Sequence, residues 1–250
     1  MDSDTHKTND YIPRPCPICG NNRPELIQFV EPVNTVLRIL CKCCDTIYFD
    51  RDPGTWPVYD KAYNMHFFRP CDIQKAGIMA AKLATLIQGR WKNPNILEAG
   101  SGNGLTVLLL RAMGFNTFGV DLDPKLSVYL MELCKIPVLA CRFEEFTPPA
   151  KYHLIYSSHV IEHCKNPEHF MRKAFALLED AGLFYIDTPD TQYYTAEGKR
   201  WHHFETRNPY EHCCLFGRTG LTLLAHNCGF KTVKHDSFPE YMSQHIILKK

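Results

Sequence analysis

Apolar positions along the chain switch between two periods. Ile73, Ala76, Ala80, Leu83, Ala84 and Ile87 recur at helical spacing, which predicts an amphipathic helix over 72–88 that stops near Gly89. From Asn95 onward, short apolar runs alternate with helical patterns: NILEAG, LTVLLLRAMG, NTFGVDLD, PKLSVYLMELC, IPVLAC, HLIYSS, EHFMRKAFALLED and GLFYIDTP. Such alternation predicts an α/β fold with a parallel sheet and right-handed crossovers. RTGLTLLAHNCGF then predicts a last helix. KTVKHDSF and SQHIILKK, joined by a short connection, predict an antiparallel hairpin at one sheet edge. Upstream, VLRIL and TIYF are strand-like and sit among cysteines, as expected of a small β module. Residues 52–70, DPGTWPVYDKAYNMHFFRP, mix prolines, glycine and aromatics without a period and predict an ordered connecting loop. The expected division is a β module over 11–55, an aromatic linker and bridging helix over 56–90, and the α/β domain over 91–250.

Composition narrows the class. With 250 residues, 45% hydrophobic and 22% charged, the chain can bury a full core. No apolar run of about 18 residues is present, so no membrane partner is expected. The opening MDSDTHKTND lacks the basic-then-apolar order of a signal peptide, which leads us to expect a cytoplasmic protein. A net charge of +1 gives no global field to draw RNA or DNA, so a small-molecule partner is favoured over a nucleic acid. Oligomeric state is not legible.

Five of the twelve cysteines fall between Cys16 and Cys44, and this clustering marks a separate unit. Cys16 and Cys19, then Cys41 and Cys44, form C-x2-C, a 21-residue spacer and C-x2-C. Two such knuckles can wrap one tetrahedral zinc, and four thiolates leave it no open position, so the metal is expected to be structural. Cys43 competes with Cys44, but only Cys44 keeps the two-residue gap.

NILEAG runs directly into SGNGLTVLLL, placing Glu98, Gly100, Ser101, Gly102 and Gly104 in the turn before a helix. Glycines there let a ligand approach the helix N-terminus. Seventeen residues beyond Gly104, Asp121 ends the next strand, placed to accept hydrogen bonds from ribose hydroxyls. A dinucleotide site wants G-x-G-x-x-G, and Leu105 stands where its last glycine would be. E-x-G-x-G-x-G after a strand, followed by VDLD, instead resembles class I S-adenosylmethionine-dependent methyltransferases. The resemblance implies a Rossmann-like, mostly parallel sheet with an antiparallel C-terminal edge hairpin, here behind an N-terminal zinc ribbon. It implies that Gly100, Gly102 and Gly104 lie under the methionine part of S-adenosylmethionine, with Glu98 near its amino group, Asp121 on the ribose and Leu122 beside the adenine. Arg142 stands where an acidic adenine contact is common in the family, and Phe143 is an expected adenine-stacking residue.

His159, Glu162 and His163 spell H-x-x-E-H, a pattern that can bind catalytic zinc on a helix. They directly follow the strand HLIYSS, however, and SSHVIEHCKNP resembles the methyltransferase segment after the fourth strand. The resemblance places Ser158 and His159 beside the cofactor. Between the fifth strand and the last helix lies a long polar and aromatic insertion, where substrates bind in such sheets. Its His203 and His212, backed by His202 and by His163, are the expected general bases for an oxygen nucleophile. The expected function is methyl transfer to oxygen of a sugar, polysaccharide precursor or secondary metabolite. Ribbons of this kind also resemble those of some RNA methyltransferases, in which case Arg14, Arg23, Arg38 and Lys42 would contact phosphates. A non-catalytic ribbon-bearing interaction protein is the third reading, and the intact glycine motif argues against it.

Overall fold

The computed structural model describes residues 14–23, 27–33, 36–49, 70–196 and 212–250. The cysteine-rich segment supplies β1 (Ile27–Val33), β2 (Val36–Cys41) and β3 (Thr46–Phe49), and helix α1 follows over Pro70–Ile87. The predicted alternation then appears as β4 (Asn95–Ala99), α2 (Leu105–Ala112), β5 (Asn116–Asp121), α3 (Pro124–Glu132), β6 (Val138–Ala140), β7 (Tyr152–Ser158), α4 (Pro167–Leu177) and β8 (Leu178–Pro189). The chain closes with α5 (Thr191–Ala196), β9 (Cys214–Leu215), α6 (Arg218–Asn227), β10 (Lys231–Phe238) and β11 (Ser243–Lys249).

Seven strands form one sheet in the order β10-β11-β8-β7-β4-β5-β6. The five strands from β8 to β6 are parallel, and β11 and β10 add the antiparallel edge. Central strands are continuous apolar runs because both faces are covered. On one face, Met79, Ala80, Leu83 and Ile87 of α1 meet Ile96, Leu154, Tyr156, Leu183 and Tyr185. On the other, Phe170 and Met171 of α4 and Leu221 and Leu224 of α6 meet Leu97, Ile155, Phe184 and Ile186. Alternate residues of each strand thus feed opposite cores. The helical pattern ran through Asp180, but α4 ends at Leu177 and the next three residues open β8. Leu178 turns extended and pairs with Tyr152, where its side chain is buried.

The second sheet is antiparallel, with order β1-β2-β3-β9. Its fourth strand comes from the far end of the sequence: Ile47 pairs with Leu215 and Tyr48 with Cys214. Thr191 Oγ1 donates to the Asp45 carbonyl at 2.8 Å, and Thr219 Oγ1 to the Asp45 carboxylate at 3.2 Å. Backbones meet so closely that a side chain on Gly217 would collide with Asp45, and one on Gly220 with Thr46 and the Cys44 carbonyl. Cys16, Ile39, Cys41, Cys44 and Tyr48 belong to the same buried cluster as Cys214, Phe216 and Leu221. The expected β module over 11–55 is therefore joined to the rest of the chain through its pairing with β9 and through a shared core.

Candidate functional site

The turn after β4 is built on left-handed backbone: φ is 75° at Gly100, 49° at Gly102 and 70° at Gly104, which caps α2. Only glycine adopts this conformation routinely. At Gly100 a side chain would also run into Val160. The loop is braced by Asp121, whose Oδ2 accepts the Gly102 N–H at 2.7 Å and whose Oδ1 accepts the Asp123 N–H at 3.0 Å. Burial pushes the Asp121 carboxyl above its ordinary value against those two hydrogen bonds. Asp123 does a different job, capping α3 by accepting from Lys125 and Leu126 N–H.

These groups open on a cavity of about 300 Å³ at the carboxyl ends of β4, β5 and β7, where open α/β sheets bind ligands. Gly100, Gly102, Asp121, Leu122, Phe143, Ser158, His159 and His163 all line it. Phe143 is buried, its ring centroid 4.7 Å from that of Phe170. Arg142 also lines the cavity and lies 3.8 Å from Glu145. Three expected residues sit behind this wall. Gly104 faces Leu130 and Ile136, Ser101 is buried against Gly119, and Glu98 is buried beneath the loop. Oε2 of Glu98 has no hydrogen-bond partner among the described residues, and burial raises its pKa to about 8. The glycine cradle and the braced acid at the second strand end fit S-adenosylmethionine, with Asp121 placed where it would meet the ribose hydroxyls, whereas Glu98, expected near the amino group, does not line the cavity.

Beside the cavity lies a polar cluster. The H-x-x-E-H residues do not share a helix face, because only Ile161–His163 form a single 3-10 turn. Glu162 is fully buried, and its oxygens take His159 Nδ1 at 3.2 Å and the Thr188 hydroxyl at 2.9 Å. Glu162, His163 and His212 bring one ligand-type atom each within 4.8 Å of one another. The same carboxylate is hydrogen-bonded on both oxygens, so the trio is part of a wider hydrogen-bond and charge cluster. His163 and His212 face each other with ring centroids 4.9 Å apart. His202 and His203 lie outside the described residues. Sequence reasoning missed a second chain of groups in which Ser158 Oγ donates to Asp187 Oδ2 at 3.0 Å, His245 Nε2 lies 3.2 Å from Asp187 Oδ1, and the Tyr185 hydroxyl is 2.7 Å from His245 Nδ1. A polar residue closing the apolar run of GLFYIDTP could have drawn attention to Asp187. His245, inside a strand pattern, carried no signal.

In the ribbon, Cys16, Cys19, Cys41 and Cys44 converge with every sulfur within 4.8 Å of the others. The Cys16–Cys44 and Cys19–Cys41 separations are 3.6 and 3.5 Å, close to the roughly 3.8 Å edge of a tetrahedron with 2.3 Å Zn–S bonds. Each knuckle ends on a left-handed residue, Gly20 and Asp45. Cys43 is exposed and is not one of the four that converge. A hydrogen bond from Cys44 pulls the Cys16 thiol down to about 5, while Cys44 is pushed up. The four cysteines could hold zinc, which needs the thiolate form.

Sheet order, glycine turn and acid at the second strand end together define a class I S-adenosylmethionine-dependent methyltransferase. The chain belongs to the family described as "Methyltransferase domain", whose model matches residues 72–235. It is 29% identical over 98 residues to the ubiquinone biosynthesis O-methyltransferase of Rickettsia bellii. That match covers 37% of this chain and only 41% of the length of that relative. The fold is similar to magnesium protoporphyrin IX methyltransferase from Synechocystis PCC 6803 with bound S-adenosylhomocysteine, with a TM-score of 0.56, 15% identity, and coverage of 78% of this chain and 90% of that one. It is also similar to a SAM-dependent methyltransferase from Archaeoglobus fulgidus, with a TM-score of 0.55, 17% identity, and coverage of 70% and 94%. No helix among the described residues is long and apolar enough to cross a membrane.

Proposed function

We propose that the enzyme transfers the methyl group of S-adenosylmethionine to an oxygen of a small-molecule acceptor, in the cytoplasm. The observation that carries this reading is the cluster of Glu162, His163, His212 and Asp187 at the carboxyl ends of β7 and β8, beside the cofactor cavity. In-line displacement at a sulfonium needs little more than a positioned nucleophile and control of its proton. Sugars, polysaccharide precursors and secondary metabolites are the acceptors to screen. His163 and His212 are the general-base pair within the described residues, and His202 and His203 remain proposals for the same role. Leu122 and Phe143 would flank the adenine, and Ser158 the methionine end.

The test is calorimetric titration with S-adenosylmethionine and S-adenosylhomocysteine, followed by a radiolabelled methyl-transfer screen of hydroxylated metabolites, amines and RNA. Transfer to an amine or to RNA, with none to a hydroxylated metabolite, would overturn the acceptor assignment. One observation weighs against an RNA clamp. Arg38, expected to contact phosphate, is buried, stacked on Phe49 at 4.8 Å and hydrogen-bonded to the His212 carbonyl at 3.4 Å. Arg14 is likewise engaged, donating to the Phe49 carbonyl at 2.6 Å.

A further inference from the structure

We infer that His159 is an anion anchor for the acceptor, receiving an ionised oxygen on its Nε2–H, so that the acceptor is an acid (an acidic hydroxyl or a carboxyl) and not a plain alcohol. This rests on the O-methylation reading above and narrows it.

Of the six non-glycine residues with positive φ among the described residues, His159 is the one that lines the cofactor cavity. His159 directly follows the last residue of β7 with φ 52°, a left-handed conformation that costs a side-chain-bearing residue on the order of 1 kcal/mol or more. The strain is held by the His159 N–H, which donates to the Asp187 carbonyl at 2.8 Å. The ring lines the cofactor cavity with 54% of its side chain exposed, while Glu162 beneath it is completely buried. Strain kept at such a place is characteristic of a functional position.

The ring's two nitrogens are differently engaged. Nδ1 is 3.2 Å from Glu162 Oε1, a charge-assisted hydrogen bond. Nε2 is 4.0 Å from Asp187 Oδ2, near enough to favour the imidazolium and too far to occupy its N–H. The charged groups facing the ring are Glu162 from its own turn, Asp187 from β8 and Lys75 from α1, with His163 on the far side of the contact at 4.0 Å from Glu162. Burial opposes the charge, but the hydrogen bond to Glu162 and the two carboxylates outweigh it and raise the pKa to about 9.

A group that stays cationic at neutral pH is no base. What it offers is an N–H donor whose positive charge is partly offset by Glu162, and a sulfonium bound in the same cavity would add a second positive charge. An anionic oxygen seated between the two would be held by both. An acidic hydroxyl or carboxyl gives up its proton on binding, to the proposed base pair His163 and His212 and from there to solvent. Its oxygen lone pair then forms the new carbon–oxygen bond as the methyl–sulfur bond breaks, with that bonding pair left on sulfur and no proton released in the step.

The experiment uses full-length protein saturated with S-adenosylhomocysteine and 4-nitrophenol as the probe, since its visible absorbance reports its ionisation. The wild type is expected to lower the apparent pKa of the bound phenol by about one unit, a roughly tenfold gain in phenolate. His159→Asn tolerates the left-handed backbone but carries no charge. With S-adenosylhomocysteine at a concentration that calorimetry shows to saturate the variant, it is expected to lose the shift. Competition by benzoate but not benzamide would assign carboxylic acids as well, and failure of benzoate would restrict the site to acidic hydroxyls. A probe that is not bound, stays protonated, or ionises equally on His159→Asn overturns the inference. Absence of S-adenosylhomocysteine binding to the wild type overturns instead the function on which it rests.

Discussion

Asp121 uses one oxygen to fix Gly102 and the other to fix Asp123, so it shapes the cofactor loop as well as facing the cavity. Its loss should cost a charged hydrogen bond worth about 1.5–3 kcal/mol. Asp121→Ala is therefore expected to weaken S-adenosylmethionine about ten- to a hundredfold by calorimetry. An affinity within a factor of about three of the wild type would show that the carboxylate is dispensable. His159 and Glu162 make a second residue-scale prediction. The imidazole's raised value means that its contribution to stability is whole below its unfolded value of 6.5 and is lost as pH climbs through about 9. Glu162 is held down at about 2 because its histidine neighbours outweigh burial, so its contribution fades only in strong acid. Melting temperature should fall for the wild type across that alkaline window and fall less for His159→Asn. Parallel curves would sink the assignment.

Among elements, the loop between β4 and α2 was the most legible, because every expected glycine occupies a conformation that other residues avoid. Gly100→Ala adds a strained φ to a collision with Val160. It should cost about 1–3 kcal/mol, read as a lower unfolding midpoint in urea together with weaker cofactor binding; an unchanged midpoint would mean that the loop relaxes freely. The cysteine pairs were legible for a similar reason, since a two-residue gap dictates the knuckle. What the sequence hid was everything made by distant pairing. Nothing in SQHIILKK marks His245 as the partner of Asp187, and nothing in HCCLFG marks a strand of the other sheet. Arg38 reads as a phosphate contact in the sequence because stacking on Phe49 cannot be read from spacing. Leu178–Asp180 fitted the helical period as well as the strand, and strand pairing with Tyr152 decided it.

For the whole molecule, the ribbon and the methyltransferase sheet meet at the segment that carries His212. Cys213 N–H donates to the Glu162 carbonyl at 2.7 Å, while the neighbouring Cys214 pairs with Tyr48 of β3. Stripping zinc with a chelator is therefore expected to do more than unfold the knuckles. Hydrogen exchange at 212–217 should accelerate along with that at 36–49, and elemental analysis of the intact protein should give one zinc per chain. Exchange confined to 14–49 would show that β9 holds its place unaided.

The borrowed strand also sets a limit on modularity. Ribbons can be imagined as beads exchangeable between enzymes, but a chimaera that joins a foreign ribbon to this fold, or a truncation beginning at α1, would strip β9 of its partner and uncover Cys214 and Phe216, now almost wholly buried. An unpaired edge beside apolar surface invites aggregation. Gly217 and Gly220 leave room for Asp45 and Thr46 and for no side chain of their own, so the two parts are expected to be inherited, and lost, together.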